Sequence, residues 1–385
     1  MADKMRSVWR CAAAGSIDNV ELVDEPLEAL RPGEVRVRVT AVGCNFADVF
    51  AMQGLYSATP EGAFIPGLEI AGVVEALYSP SEPASKPIAA NAAAGVGHDL
   101  AVGDSVMGVV RFGGYASYVN VEAQRLQRLP VGWEAKHGAA FPVQALTAFY
   151  GLVEIGGMRL PGTEGLAASL PQKSVLIHSM AGGVGLAALQ VCLALGAPCV
   201  GTVGAAWKKD WLLDAYPQLA PEQIIVRTSP GAFERQLDSA LRSKEVCRAA
   251  GVDIVFDAIA GPWTKPAMAK LAPMGRYVIF GAASFTPLGP TPSYLSLGLK
   301  YLTRPTIDPM ELISSNHAVM GFNLIWLWSQ LEYLSAVKDA MMEHVPWRAP
   351  KVTTYPFADM KAAIAKFQAG KTVGKVVLEP VHPEL

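Results

Sequence analysis

A glycine-rich turn between an apolar strand and an apolar helix is the feature of this sequence with the clearest chemistry. A strand is predicted over residues 175–178 and a helix over residues 184–195, and residues 180–185 between them read MAGGVG. In this order, glycines let the backbone approach a dinucleotide pyrophosphate, whose charge then lies at the helix N-terminus. We therefore expect a cofactor to contact Ala181, Gly182, Gly183 and Val184.

Met180 departs from the usual dinucleotide fingerprint, G-x-G-x-x-G, in which a glycine takes its place. A methionine does not easily adopt a positive φ, so the first turn is expected to be shaped differently from the standard one. A tight strand-to-helix turn with no ligand is the alternative interpretation. The succession of strand, glycines and helix favours the cofactor site.

The second predicted strand, residues 199–203, indicates which nicotinamide cofactor is bound. Such strands usually end with an Asp or Glu that binds the adenosine ribose 2′-hydroxyl, but residues 201–209 read GTVGAAWKK. A carboxylate would repel a 2′-phosphate, whereas Gly204 leaves space for it and Lys208 supplies a counter-charge, which favours NADPH over NADH. Arg227, at the end of the next strand, could close the same pocket. The alternative for either cation is an ordinary solvated surface charge.

Two further residues at a strand end are candidates for cofactor binding. Phe280 and Gly281 close the predicted strand over residues 276–281. Ligands of parallel sheets bind at the carboxyl ends of the strands, and a glycine there allows close approach. His178 also ends a strand, but that strand is apolar and a core histidine is the expected role.

The elements that must position these residues alternate between strands and helices after residue 144. Strands predicted near residues 175, 199, 224, 253, 276 and 319, with helices between them, indicate a doubly wound parallel sheet. The first third of the chain instead alternates apolar and polar residues, as in residues 33–42, which is typical of a β-rich domain. We predict an α/β protein with two domains. Residues 144–325 form the dinucleotide-binding domain, and residues 1–143 with 326–385 form the β-rich domain.

Composition excludes several classes of protein. The 385 residues carry a formal net charge of -2, with 51% hydrophobic and 17% charged, which is typical of a globule with large cores and predicts no nucleic-acid binding. The five cysteines include no C-x-x-C pair, which argues against a disulfide framework and favours a reducing, cytoplasmic location. Residues 175–206 lack charged side chains, but their glycines interrupt the run, so no integral membrane segment is expected.

Segments spread over nearly the whole chain resemble the zinc-free quinone oxidoreductases of the medium-chain dehydrogenase/reductase superfamily, in the branch of the vesicle amine transport protein homologues. They are residues 44–48, 53–56, 181–185, 201–208, 253–257, 301–305 and 370–376. The resemblance implies a GroES-like β-rich catalytic domain, a Rossmann domain and a homodimer. A loop at residues 79–97 and an extra segment near residues 156–170 depart from the family pattern.

The zinc-dependent alcohol dehydrogenases of the same superfamily are the main alternative. They hold the catalytic zinc with a Cys, a His in a Gly-His-Glu motif and a further Cys or acid. Cys44 and Glu69, the Glu of that motif, survive, but Leu68 stands in the place of the His. A leucine cannot bind a metal, and residues 78–110 contain no cysteine for a structural zinc. No metal is therefore predicted.

The resemblance also points to residues that would act on the substrate. Tyr56 resembles a tyrosine of the family's active site and could donate to an enolate oxygen, or it could be a packing aromatic. Asn45 matches the same motif and could touch cofactor or substrate, although with Asp48 it also resembles a capping box. Thr147 matches a threonine near the cofactor, or it bonds its own helix backbone. Lys371 is a further cofactor candidate, or a helix C-terminal cation.

These residues together predict NADPH-dependent reduction of a quinone or an α,β-unsaturated carbonyl by hydride transfer. A weakly active cofactor-binding scaffold or a membrane-associated protein is the alternative, because some relatives in the vesicle amine transport branch are known for such roles. The aromatic residues 322–328 could line an apolar substrate cleft or form an exposed attachment patch.

Overall fold

The computed structural model describes residues 4–79, 100–162, 170–242 and 251–382. Residues 80–97 of the predicted loop lie outside the described residues, and so do residues 163–169 of the extra segment and Cys247.

The described strands form three sheets. They are β1 (Met5–Cys11), β2 (Val20–Pro26), β3 (Glu34–Gly43), β4 (Glu69–Leu77), β5 (Ser105–Val109), β6 (Tyr118–Glu122), β7 (Leu126–Arg128), β8 (Val175–Ile177), β9 (Cys199–Val203), β10 (Ile224–Val226), β11 (Val252–Asp257), β12 (Leu271–Ile279), β13 (Ala318–Gly321), β14 (Val352–Pro356) and β15 (Lys375–Glu379).

The described helices are mostly short, and a π-helical segment, Tyr150–Ile155, follows the third of them. They are α1 (Phe46–Met52), α2 (Ala135–Gly138), α3 (Pro142–Phe149), α4 (Gly183–Ala194), α5 (Ala206–Ala215), α6 (Pro230–Arg242), α7 (Thr264–Met268), α8 (Tyr294–Leu302), α9 (Pro309–Ser315), α10 (Leu331–His344) and α11 (Met360–Gln368).

The first of two compact units comprises Met1–Val143, Leu288–Pro292 and Ala349–Leu385. Its larger sheet has the order β14-β15-β3-β4-β5-β7, with β6 also paired to β3, and β1 pairs with β2. In β3, Val35, Val37 and Val39 are buried in the core while the residues between them are half-exposed. The alternation in the sequence therefore decides which face of this strand packs inward.

Residues 288–292 join the first unit through hydrogen bonds to its other segments. Gln53 and Gln368 donate from Nε2 to the carbonyl oxygen of Gly289 at 3.0 and 3.2 Å. The backbone N–H of Ile17 donates to the carbonyl oxygen of Pro290 at 3.0 Å. The first unit is thus built from three separate stretches of chain.

The second unit comprises Gln144–Pro287 and Ser293–Arg348. Its sheet has the order β10-β9-β8-β11-β12-β13, and every pairing is parallel. This is the strand order of a doubly wound dinucleotide-binding sheet, so the predicted fold class is confirmed. The order reverses between β8 and β11, and ligands of such sheets bind outside the carboxyl ends of the strands at that point.

The second unit extends beyond the predicted domain boundary. The sequence predicts an end near residue 325, but α10 belongs to this unit, which continues to Arg348. Val337 and Met341 on α10 are buried, and the Tyr333 hydroxyl donates to Glu154 Oε2 at 2.9 Å. These contacts keep the helix with the second unit.

Helices α8 and α9 carry apolar side chains that lie in solvent. Neither helix has a buried residue, and Leu295 and Ile313 are 88% and 73% exposed. The two helices are not predicted from the sequence.

One stretch, Ala135–Ile155, is long and apolar enough to cross a membrane by length and composition. It comprises α2, α3 and the π-helical segment, and 72% of its apolar window is buried inside the protein. A buried core helix passes the same test, so these properties alone do not establish a membrane span.

Candidate functional site

The turn after β8 has an unusual first residue, as the sequence predicts. Ser179 takes the positive φ, 57°, and Met180 does not. Met180 is fully buried, and its backbone N–H donates to the carbonyl oxygen of Thr202 at 2.9 Å. The methionine is therefore tied to the neighbouring strand, and the left-handed conformation falls on the residue before it.

Gly185 is the glycine on which this turn depends most. A Cβ at Gly185 would lie 2.2 Å from the Ser179 carbonyl oxygen and 2.6 Å from Met180 Cα. Any side chain would force the loop away from the first turn of α4. The position requires glycine for close packing, whether or not a ligand is bound.

The N-terminus of α4 offers backbone donors at the glycine turn. Gly182 is the N-cap residue, makes no side-chain cap, and no acidic residue lies in the first turn. The first N–H groups of a helix have no intrahelical partner, so those of Gly183 and Val184 can receive an anion. Ala181 is buried beneath the turn. This arrangement fits a dinucleotide pyrophosphate.

Thr147 lies on the helix that packs against the glycine turn. A Cβ at Gly183 would be 3.1 Å from Gln144 Oε1, so Gln144 contacts the turn directly. Thr147 follows it by three residues on α3, which places both on one face of the helix. Gln144 was not identified from the sequence, because a single glutamine in an apolar helix carries no motif.

Lys208 and Arg227 lie together beyond the end of β9. Burial lowers the pKa of Lys208, and Arg227 lowers it further. Burial also lowers the pKa of Arg227 to about 10, against the opposing effect of Asp257. Within the described ranges, neither cation has a carboxylate partner within 4 Å. An anionic ligand would relieve this unfavourable concentration of positive charge.

The surroundings of Arg227 leave room for such a ligand. Its guanidinium donates to the Thr202 hydroxyl and lies 5.7 Å from the ring centroid of Trp263. A Cβ at Gly204 would still be 3.7 Å from Arg227 Nη2. Gly204 therefore opens space beside the cations, and the site fits a 2′-phosphate.

His178 is a buried histidine, and one of its two ring nitrogens makes a hydrogen bond. Its Nδ1 lies 3.0 Å from Thr202 Oγ1, whereas Nε2 is buried with no hydrogen-bond partner in the described structure. Burial lowers the pKa of the imidazole to about 4, opposed by Asp257 and assisted by Arg227. The ring is therefore neutral at pH 7 and adds no charge beside the two cations.

Phe280 and Gly281 lie at the carboxyl end of β12, next to the end of β11. Phe280 stacks on Phe256 with ring centroids 4.2 Å apart, and a Cβ at Gly281 would be 2.7 Å from the Ala258 carbonyl oxygen. Asp257, which ends β11, accepts hydrogen bonds from the N–H of Ile259 and the hydroxyl of Tyr277, both at 2.7 Å. These contacts fix the sheet edge where ligands of this fold bind.

Tyr56 and Lys371 belong to the first unit. Tyr56 is half-buried against the core, with its ring centroid 6.5 Å from that of Phe112, and its carbonyl oxygen accepts from the N–H and hydroxyl of Thr59. The packing role foreseen for Tyr56 is therefore seen, while the role of its hydroxyl stays a prediction. Lys371 is exposed, and its part in cofactor binding stays a prediction too.

Asn45 lies in a buried polar cluster that centres on an ion pair. Lys375 Nζ is 2.6 Å from Glu69 Oε1 and 2.6 Å from Asn45 Oδ1. Asn45 Nδ2 donates to Glu69 Oε1 at 3.1 Å and to the Gly43 carbonyl oxygen at 3.3 Å. Lys375 was not identified from the sequence. The available signal was a lysine directly before the apolar residues 376–378 of β15.

Asp48 extends this cluster toward Tyr115. Its Oδ2 accepts the Asn45 N–H at 2.8 Å, as in the predicted capping box, and the Tyr115 hydroxyl at 3.3 Å. Burial raises the pKa of Asp48 to about 7, although the hydrogen bond from Asn45 and the charge of Lys375 oppose the change. The structural role expected for Asp48 agrees with these contacts.

The residues around Cys44 do not fit a zinc site. Burial raises the pKa of the Cys44 thiol to about 12. Glu69 is already paired with Lys375, and Leu68 offers no donor atom. Across the described ranges, no group of three His, Cys, Asp or Glu side chains could hold a metal ion.

Two protein-family models match this chain, and the matched ranges include residues of both units. Residues 31–131 match the alcohol dehydrogenase GroES-like domain, and residues 231–378 match the family described as zinc-binding dehydrogenase. In the part of the chain that the structure describes, no group of three His, Cys, Asp or Glu side chains could hold the zinc of that description.

Among solved structures, the quinone oxidoreductase of Thermus thermophilus, solved also in complex with NADPH, is 26% identical with a TM-score of 0.69. The match covers 97% of this chain and 99% of the Thermus thermophilus chain. A mycobacterial protein complexed with NADPH is 25% identical with a TM-score of 0.74, and the match covers 97% of this chain and 100% of the other.

Curated relatives match along nearly the full length. The synaptic vesicle membrane protein VAT-1 homolog of Rattus norvegicus is 31% identical over 373 residues, which cover 95% of this chain and 82% of the relative. The Danio rerio protein of the same name is 30% identical over 382 residues, which cover 96% of this chain and 69% of the relative. The chain therefore belongs to the VAT-1 homologue family of the medium-chain dehydrogenase/reductase superfamily.

Proposed function

We propose that the protein is a zinc-independent, NADPH-dependent oxidoreductase that reduces quinones or α,β-unsaturated carbonyls. The observation that carries the proposal is the pair of cations, Lys208 and Arg227, beside the open space at Gly204 and without a carboxylate partner among the described residues. Two structural relatives at 25 and 26% identity were solved with NADPH. A site of this charge distinguishes NADPH from NADH.

Residues of the second unit bind and orient the cofactor in this proposal. The α4 N-terminus at Gly182, Gly183 and Val184 receives the pyrophosphate, and Lys208 with Arg227 receives the 2′-phosphate. Thr147, Phe280 and Gly281 contact the nicotinamide half. Lys371, of the first unit, adds a further contact. When bound, the nicotinamide supplies the hydride.

Tyr56 and Asn45 act on the acceptor. Hydride addition to an α,β-unsaturated carbonyl leaves negative charge on its oxygen, and the Tyr56 hydroxyl donates to that oxygen. The Asn45 amide is held by Glu69 and Lys375, and in this proposal it contacts cofactor or substrate.

The protein acts as a cytoplasmic homodimer in this proposal. Four cysteines, Cys11, Cys44, Cys192 and Cys199, are buried as free thiols, which agrees with a reducing compartment. Size-exclusion chromatography with light scattering tests the dimer.

Steady-state kinetics of the purified protein test the proposed activity. We expect turnover of a small enone and a small quinone with NADPH and much weaker turnover with NADH. Treatment with a chelator should leave the rate unchanged. Binding of NADPH without turnover of any acceptor in either class would contradict the proposal.

A membrane-associated, weakly active scaffold is the second candidate. The exposed apolar side chains of α8 and α9 and the printed names of the relatives, synaptic vesicle membrane protein VAT-1 homolog, favour it. Co-sedimentation with lipid vesicles by a protein that binds NADPH but turns over no acceptor would support this candidate.

A further inference from the structure

Lys375 is a buried cation that hydride transfer does not by itself require. The Lys375 and Glu69 side chains are only 2% and 0% exposed, with Nζ and Oε1 2.6 Å apart. Burying two charges removes both from water, and such a pair is often no more stabilising than an apolar pair of the same volume. A role other than folding is therefore expected for it.

The two charges decide which way the Asn45 amide faces. A lysine ammonium can only donate, so its 2.6 Å contact must be with an acceptor, Oδ1. Nδ2 then faces the Glu69 carboxylate at 3.1 Å. The reverse orientation would place the NH2 group against the ammonium and the oxygen against the carboxylate, and both contacts would repel. Asn45 is thus held in a single orientation, with its carbonyl polarised by Nζ.

The same cluster adjoins Leu68, which stands in the place of the zinc-binding His of the zinc-dependent relatives. Cys44 and Glu69 are retained, and the positive charge beside Glu69 is the ammonium of Lys375. The ammonium also lowers the pKa of the Cys44 thiol against the larger effect of burial. A side chain of the protein therefore supplies a fixed positive charge in this cluster.

We infer that Lys375 is a positioning residue of the reductase site, which fixes the orientation of the Asn45 amide by its charge. It acts through Asn45 and does not touch the reacting atoms. Its effect on turnover rests on the proposed function, whereas its effect on the orientation of Asn45 does not.

Three variants separate positioning from folding. Lys375→Met leaves Glu69 buried without its partner and should lower the melting temperature by at least about 5 °C. Glu69→Gln combined with Lys375→Met removes both charges and should restore most of the lost melting temperature.

We expect the single variant Lys375→Met and this double variant each to lose at least about tenfold in kcat, with KM for NADPH within about twofold of wild type. Lys375→Arg keeps the charge and should recover part of the turnover. Lys366→Met, at an exposed lysine of α11, should change none of these quantities.

A double variant with restored melting temperature and wild-type kcat would overturn the inference. The second readout needs no turnover: the side-chain amide NMR signals of Asn45 in protein labelled with 15N-asparagine, assigned by their loss in Asn45→Ser. In the double variant we expect these signals to shift and to exchange with water at least about tenfold faster. Unchanged signals would also overturn it. If the signals respond but the wild type reduces no acceptor, the proposed function fails and the positioning role stands.

Discussion

Met180 fills the space that a side chain at position 201 would need. A Cβ built on Gly201 would lie 2.3 Å from Met180 Sδ, and Gly201 pairs in register with Ile177 of β8. The methionine that replaces a fingerprint glycine is therefore accommodated by a glycine on the neighbouring strand.

Gly201→Ala should destabilise the protein. The added methyl group overpacks a buried site, which costs about 1 to 3 kcal/mol in the free energy of unfolding, and denaturant titration measures it. Gly298→Ala is the matched control, because Gly298 lies within α8 with no atom near its absent Cβ. It should be neutral or stabilising by about 0.5 to 1 kcal/mol. Equal denaturation midpoints for wild type and Gly201→Ala would show that Met180 can move away.

Lys208→Ala should weaken NADPH binding selectively. A hydrogen bond to a charged group contributes about 1.5 to 3 kcal/mol, so the Kd for NADPH should rise roughly tenfold to a hundredfold while that for NADH changes little. Isothermal titration with both cofactors measures this. Lys209→Ala is the control and should affect neither affinity. An equal loss toward both cofactors would remove Lys208 from the 2′-phosphate site.

Tyr56→Phe tests the proposed donor, because it keeps the ring and deletes only the hydroxyl. Loss of one donor to a developing oxyanion typically costs about 10² to 10³ in turnover. We expect a fall of this size with an enone, a smaller one with a quinone that accepts single electrons, and an unchanged Kd for NADPH. Full enone turnover by the variant would leave Tyr56 with its packing role only.

His178→Asn should reduce the pH dependence of stability. The folded-state pKa of His178, about 4, lies below its unfolded value of about 6.5. Between these values the unfolded chain binds more protons, so the contribution of His178 to stability is present above pH 6.5 and is lost as the pH falls toward 4. The loss amounts to about 3 kcal/mol. Denaturant titrations at pH 4.5 and 7.5 should therefore differ less for the variant than for wild type.

The sequence predicts the parts of this protein that rest on local patterns. Glycines between an apolar strand and a helix predict the dinucleotide turn, and the absence of an acid after β9 predicts a site for a phosphate. Both patterns depend on neighbouring residues, and the order of the sheet follows from alternating strands and helices.

The buried cluster around Lys375 could not be predicted in the same way. Its members, Asn45, Glu69 and Lys375, are far apart in the sequence, and they meet because β3 pairs antiparallel with β4 on one edge and with β15 on the other. The exposed helices α8 and α9 were missed as well, although Leu295, Leu299 and Leu302 of α8 recur at helical spacing.

The three-part construction of the first unit has a consequence during synthesis. Its N-terminal part leaves the ribosome with β3 already able to pair with β4 along one edge and with β6 along the first half of the other edge. The rest of that second edge pairs with β15, which is made after the other described strands. On this edge, Val42 and Gly43 cannot pair with Leu378 and Val377 until more than 300 further residues have been translated. The nascent chain consequently presents an open sheet edge throughout translation of the second unit, and chaperones that hold such edges would act before the terminal strand arrives.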